Sequence, residues 1–146
     1  MSERINIAKS EPQGYKAMSA LEQYIQASDV SKTHLELIKI RASQINGCAF
    51  CLDMHTKDAL KKGETNQRIF LLNAWKETTL FTEEERVILS MTEEVTLIHE
   101  HGLSEATYLK AVELLGEQYV AQVLMAIVTI NGWNRIAVSM QYQIPE

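Results

Sequence analysis

Apolar residues recur along this chain at three- and four-residue intervals, the spacing that gathers them on one side of an α-helix. Ala17, Met18, Leu21, Tyr24 and Ile25 predict a first helix over residues 15–27. Pro12 restrains the residue before it to extended backbone, so residues 1–12 read as a loosely ordered arm. Ser31 is placed to cap a second helix over 33–45, with Leu37, Ile38 and Ile45 among its apolar positions. Asn46 and Gly47 end it, glycine being suited to the left-handed backbone that comes after a helix. A third helix is predicted over 48–62 and stopped by Gly63. Shorter helices are predicted over 66–75 and, behind a Thr82 cap with Glu85 three residues on, over 83–98. Gly102 breaks the chain, Ser104 caps a helix over 105–115, and after Gly116 a last helix runs over 117–140.

Strictly alternating β-branched runs are missing, so the pattern supplies nothing for a sheet. The expected architecture is all-α, one domain over residues 1–146, without a linker, a low-complexity tract or an internal repeat. The most apolar stretch, 119–130, is shorter than the roughly 20 residues that cross a bilayer. It also carries Gln122 and Thr129, and reads as a buried helix in the subunit core or at a subunit contact. Trp75, Trp133, Met91 and Met125 read as packing residues.

Composition narrows the function classes. A chain of 146 residues that is 46% hydrophobic and 23% charged can bury a core without staples. Its 14 basic and 19 acidic residues give a formal charge of -5, which offers nucleic acid no broad basic surface. Lys57, Lys61 and Lys62 read as one solvated helix face. No apolar run succeeds a basic start at the N-terminus, so a cytoplasmic protein, neither exported nor held in a membrane, is expected.

The candidate chemistry begins with the only two cysteines, Cys48 and Cys51. A structural disulfide contributes most when it closes a long loop, and this spacing closes almost none. A thiol site in a reducing compartment, redox-active or metal-binding, is therefore expected. At about 100° per residue, Cys51 lies about 60° from Cys48 and His55 about 40° from Cys51, all on one helix side. Leu52 and Ala59 share that side, whereas Asp53, Lys57 and Lys61 face elsewhere. Free amides at a helix start favour a thiolate, and an imidazole titrating near neutrality can relay its proton. Such a pair suits thiol–disulfide exchange, or a peroxide reduction in which one sulfur attacks and the other resolves.

Glu36, on the preceding helix, reads from spacing alone as a solvated glutamate. If the two helices pack at an angle, its carboxylate reaches the dithiol and completes a proton relay with His55. Two rival readings stay open. Zinc could take Cys48, Cys51 and His55, with Glu36, His99 or His101 completing four ligands, although no second tight ligand pair accompanies them. Alternatively, the cysteines are inert buried residues of a helical interaction protein. His34, His99 and His101 read mostly as surface or packing residues, with His34 pointing well away from Glu36.

Glu36, eleven intervening residues and then Cys48-Ala49-Phe50-Cys51-Leu52-Asp53-Met54-His55 resemble the signature of AhpD-like alkylhydroperoxidases, within the carboxymuconolactone decarboxylase superfamily. Asn46-Gly47-Cys48-Ala49-Phe50-Cys51 resembles the compact-core members in particular. The resemblance implies an all-helical AhpD-like fold and an antioxidant, thiol-dependent peroxidase acting on hydroperoxides. It casts Cys51 as the peroxidatic sulfur, Cys48 as the resolving one, and His55 and Glu36 as the proton relay. It further implies a thiol reductant or lipoyl-bearing protein adaptor, a homo-oligomer of two, three or six chains, and no bound cofactor or metal. One position departs from the pattern: Phe50 stands where the best-characterised members carry a further histidine, which implies a simpler relay or weak peroxidase turnover. Lactone decarboxylation is disfavoured, because the superfamily's decarboxylases lack the cysteine pair.

Overall fold

The second predicted helix becomes the hub of the structure, because residues all round it are buried. A computed structural model describes residues 2–146, which contain α1 (Ile7–Ser10), α2 (Pro12–Ala27), α3 (Lys32–Asn46), α4 (Ala49–Lys61), α5 (Asn66–Phe70), α6 (Glu83–Thr96), α7 (Glu105–Leu115) and α8 (Glu117–Ser139). Among the described residues there is no strand, so the protein is all-α. On one side of α3, Leu35, Ile38 and Ala42 pack with Ile88 and Met91 of α6 and with Val123, Ile127 and Ile130 of α8. On the other, Leu37 and Ile40 pack with Leu72, Trp75, Phe81 and Leu89. Each such aliphatic side chain contributes about 1.5–3 kcal/mol through removal from water. A helix enclosed this way must also bury its polar residues, and Glu36, Lys39 and Ser43 lie inside with the apolar ones.

The apolar stretch 119–130 divides between two environments. Val120, Val123, Ala126, Ile127 and Ile130 are in the core, whereas Leu124 and Val128 face outward. No helix among the described residues is long and apolar enough to cross a membrane.

Several boundaries differ from the pattern-based expectation. The segment read as a loose arm contains α1, capped where the Asn6 side chain accepts the Lys9 N–H. Ahead of it, Arg4 donates to the Ser139 carbonyl at 2.6 Å. Helix α2 starts at Pro12 because proline suits a first helical position, where its missing N–H has no partner to lose. The helix expected over 66–75 is two pieces, α5 and a 3₁₀ segment Leu72–Glu77. A 3₁₀ turn aligns residues three apart, and both Leu72 and Trp75 are thereby buried. Helix α6 stops at Thr96, with a 3₁₀ turn Ile98–Glu100 beyond it.

The α3–α4 junction sets where the cysteine pair sits. Gly47 adopts φ 65° and ψ 36°, a left-handed conformation that β-carbon sterics disfavour for other residues. The Cys48 N–H then reaches the Ser43 carbonyl at 3.0 Å and the Gly47 N–H the Gln44 carbonyl at 3.3 Å, satisfying the end of α3. Asn46 fastens this turn to α8, donating to Asn131 Oδ1 at 2.9 Å and Asn134 Oδ1 at 3.0 Å. Asn134 in turn donates to Ser43 Oγ at 3.0 Å, and both are completely buried. Replacing Asn134 by Ala would remove partners from two polar side chains, so Asn134→Ala should lower unfolding stability by about 2 kcal/mol in urea titrations. A change below about 0.5 kcal/mol would contradict a structural role for this network.

Candidate active site

Cys48, which the sequence pattern places inside the helix, instead caps it. Its extended backbone, φ -89° and ψ 94°, places the sulfur where it accepts the Cys51 N–H at 3.3 Å. Cys51 lies in the first turn of α4, and the two sulfurs are joined in a disulfide with their Cα atoms 5.3 Å apart. Helical periodicity therefore relates Cys51 to His55, one turn on, while Cys48 is brought to them by the cap and the bond. Both cysteines are buried, yet only Cys51 borders an open cavity of about 260 Å³.

Three segments distant in sequence supply the rest of the cavity wall. They are Tyr15 and Glu22 from α2; Phe50, Met54 and His55 from α4; and Trp133, Ala137 and Tyr142 from α8 and the chain just after it. Tyr15 meets Trp133 edge-on at 5.5 Å, and Phe50 meets Tyr142 at 5.3 Å. Phe50, which departs from the expected pattern, is thus part of an aromatic wall. Trp133, expected as packing, belongs to this wall; Trp75 is a core residue whose indole donates to Glu93 at 2.9 Å.

Glu36 is buried and faces His55, as the angled packing of α3 and α4 permits. Its Oε2 lies 3.7 Å from His55 Nδ1, beyond hydrogen-bond reach, and neither atom has another partner. Burial foremost, then the charge of Lys39, pushes the His55 pKa down to about 4. At neutral pH the contact is consequently between an uncharged imidazole and a carboxylate. A proton on Nδ1 faces the carboxylate without lone-pair repulsion, and leaves Nε2 as the ring's acceptor. The other Glu36 oxygen takes Lys62 Nζ at 2.6 Å. Lys57, Lys61 and Lys62 are all exposed, as one solvated face would be, with Lys57 2.9 Å from Asp53; the Lys62 ammonium in addition reaches back to partner the buried Glu36 carboxylate.

A second buried pair has no counterpart in the sequence reading. Lys39, 2% exposed, places Nζ 2.6 Å from Glu22 Oε1, which also accepts from Gln26 at 3.1 Å. Burial works to raise the Glu22 pKa, but the bond and charge of Lys39, helped by Gln26, hold it below the usual range. Glu22 Oε2 has no partner. The available clue was a lysine inside the apolar run Leu37-Ile38-Lys39-Ile40, but its partner lies on another helix, beyond the reach of periodicity.

The zinc reading gains no assembled ligand set. His99 and His101 are exposed beyond the end of α6, and no group of three or more His, Cys, Asp or Glu among the described residues is placed to hold a metal. His34 is a packing residue, its Nδ1 2.6 Å from the Tyr119 hydroxyl.

Residues 12–94 match the model of the carboxymuconolactone decarboxylase family. The chain is 43% identical over 140 residues to the uncharacterized protein YdfG of Bacillus subtilis (strain 168), covering 96% of this chain and 95% of that one. Among solved structures it is similar to ATU0492 from Agrobacterium tumefaciens, with TM-score 0.95, 41% identity and 99% of each chain covered. The debrominase Bmp8 shares the fold at TM-score 0.83 and 17% identity, over 94% of this chain and 74% of its own.

The depressed His55 pKa carries a stability consequence. Between pH 6.5 and about 4 the unfolded chain binds a proton at this position that the folded chain refuses, so stability falls as pH falls through that window. From pH 7 to pH 5 the loss attributable to His55 should be about 2 kcal/mol. Burial lowers His34 in the same direction, so the measurement is a comparison: urea unfolding of the oxidised protein and of His55→Gln at both pH values. The variant should lose less stability on acidification, and parallel losses would contradict the assignment.

Proposed function

The chain belongs to the carboxymuconolactone decarboxylase family, and from that membership we propose that it is a thiol-dependent peroxidase that reduces hydroperoxides by a dithiol–disulfide cycle. The observation that carries this reading is the asymmetry of the cysteine pair: bonded to each other, with Cys51 alone bordering the cavity beside an uncharged His55. Decarboxylation of a lactone is redox-neutral and has no use for a reversible dithiol. A hydroperoxide accepts the two electrons that closing the disulfide releases.

In the reduced protein His55 takes the Cys51 proton, and the thiolate attacks the terminal oxygen of the hydroperoxide. The S–O bond forms, the O–O bond breaks, and the departing alkoxide receives the proton from His55 as alcohol. An imidazole with so low an affinity for protons holds this one only transiently, between leaving Cys51 and reaching the alkoxide. Cys48 then attacks the Cys51 sulfenic acid; the S–S bond forms, the S–O bond breaks, and the hydroxyl leaves as water. Glu36, anchored by Lys62, lies where its charge stabilises the transient imidazolium. A dithiol reductant, such as a lipoyl-bearing adaptor in a reducing compartment, supplies two electrons and two protons to reset the pair.

Peroxide titration of the reduced protein, monitored by intact mass, should show a loss of about two daltons as the pair closes. Cys51→Ser should abolish peroxide consumption, and Cys48→Ser should leave a sulfenic acid on Cys51 that a dimedone adduct traps. Full consumption by Cys51→Ser would refute these roles. Glu36→Gln and His55→Gln should slow thiol oxidation in stopped flow by about 100-fold or more, with helical signal retained. Unchanged rates across neutral pH would remove both from the relay.

A further inference from the structure

The cavity beside Cys51 is largely apolar, yet Glu22 stands in its wall with one oxygen committed and the other without a partner. Lys39 fixes this arrangement. A lysine only donates, so its ammonium holds Glu22 Oε1 at 2.6 Å, and Gln26 donates to the same atom. Oε2 is shielded from solvent and accepts nothing, which is costly for a buried acceptor. The terminal torsion of glutamate is broad, so a small rotation with Lys39 retained turns Oε2 toward the cavity.

We propose that Glu22 is a substrate-orienting residue, accepting a hydrogen bond from the O–H of a compact apolar hydroperoxide while Cys51 meets its terminal oxygen. This rests on the proposed peroxidase activity. Tyr15, Trp133 and Phe50 contact the hydrocarbon part, and the O–H, the one donor such a substrate has, goes to Glu22. The oxygen bearing that hydrogen is the one the sulfur attacks. The contact therefore aims the scissile O–O bond along the line of attack; the proton stays with this oxygen as it becomes the sulfenic acid. Orientation of this kind acts on the rate without adding a proton donor or acceptor to the chemistry.

Glu22→Gln reverses the hydrogen-bonding character of the atom that this rotation offers to the cavity. Its amide oxygen stays on the Lys39 ammonium and its amide nitrogen, a donor, takes the place of Oε2. The test compares single-turnover oxidation of the reduced protein by cumene hydroperoxide and by 2,2′-dithiodipyridine, a small neutral disulfide that has no O–H. Glu22→Gln should lower the ratio of the two rate constants, hydroperoxide over disulfide, by about tenfold, the equivalent of one lost hydrogen bond. Glu22→Leu, which presents neither donor nor acceptor, should lower it at least as far, and the ratio is read on folded protein whatever its stability. An unchanged ratio overturns the assignment, whether both rates persist or both fall together; the latter places the effect on Cys51 or His55 instead of the substrate. A wild-type protein that reacts with the disulfide but not with cumene hydroperoxide overturns the peroxidase reading itself, and the role of Glu22 with it.

Discussion

Cys48 joins two helices by serving both. Its N–H closes the end of α3 on the Ser43 carbonyl, and its sulfur caps the start of α4 at the Cys51 N–H. Only a left-handed residue before it lets the chain turn so tightly, and Gly47 meets that requirement. Because the cap residue is itself one of the two thiols, helix geometry and cysteine geometry are a single constraint. Asn46 extends it to α8 through Asn131 and Asn134, so the cavity wall contributed by α8 is registered against the same turn. Displacing that turn would move the cap, the cysteine pair and the wall at once.

The buried charges around α3 make sense as a set. Isolated, each of Glu22, Glu36 and Lys39 would carry a large desolvation penalty; paired, they largely offset one another. Pairing of this kind seldom adds net stability over a well-packed apolar core, so its value lies in the field it leaves at His55. Lys39 and burial both oppose imidazolium, while Glu22 favours it. The ring remains uncharged in the oxidised protein.

Local rules made much of this legible. Caps at Ser31, Thr82 and Ser104, and the helix ends at Gly47 and Gly116, announced most element boundaries, since each is a contact between residues at most a few positions apart. The Cys51–His55 relation came from one helical turn. Glu36 needed more: spacing made it an ordinary surface residue, and only the family signature tied it to the pair. The partnerships of Glu22, Lys39 and Lys62 escaped both, because what brings each to its partner is the packing of α2, α3 and α4 against one another. The split of 66–75 had a similar origin, as burial of both Leu72 and Trp75 set the local pitch.

The turn that carries the cysteines is local, whereas the cavity wall beside Cys51 is assembled from α2, α4 and α8. These two parts can diverge separately. Tyr15, Glu22 and Trp133 shape the cavity without touching the cap that positions Cys51, and a fold that separates reactive group from wall can host different reactions. The discriminating features of this chain are therefore its aromatic positions and its single partnerless carboxylate oxygen in that wall, more than the cysteine motif. Phe50 belongs to both parts: it sits between the cysteines in sequence, and its ring meets Tyr142 in the cavity wall. An apolar ring there leaves His55 as the one imidazole in the cavity lining beside Cys51, with the polar atoms of Tyr15, Trp133, Tyr142 and Glu22 carried by the rest of the wall.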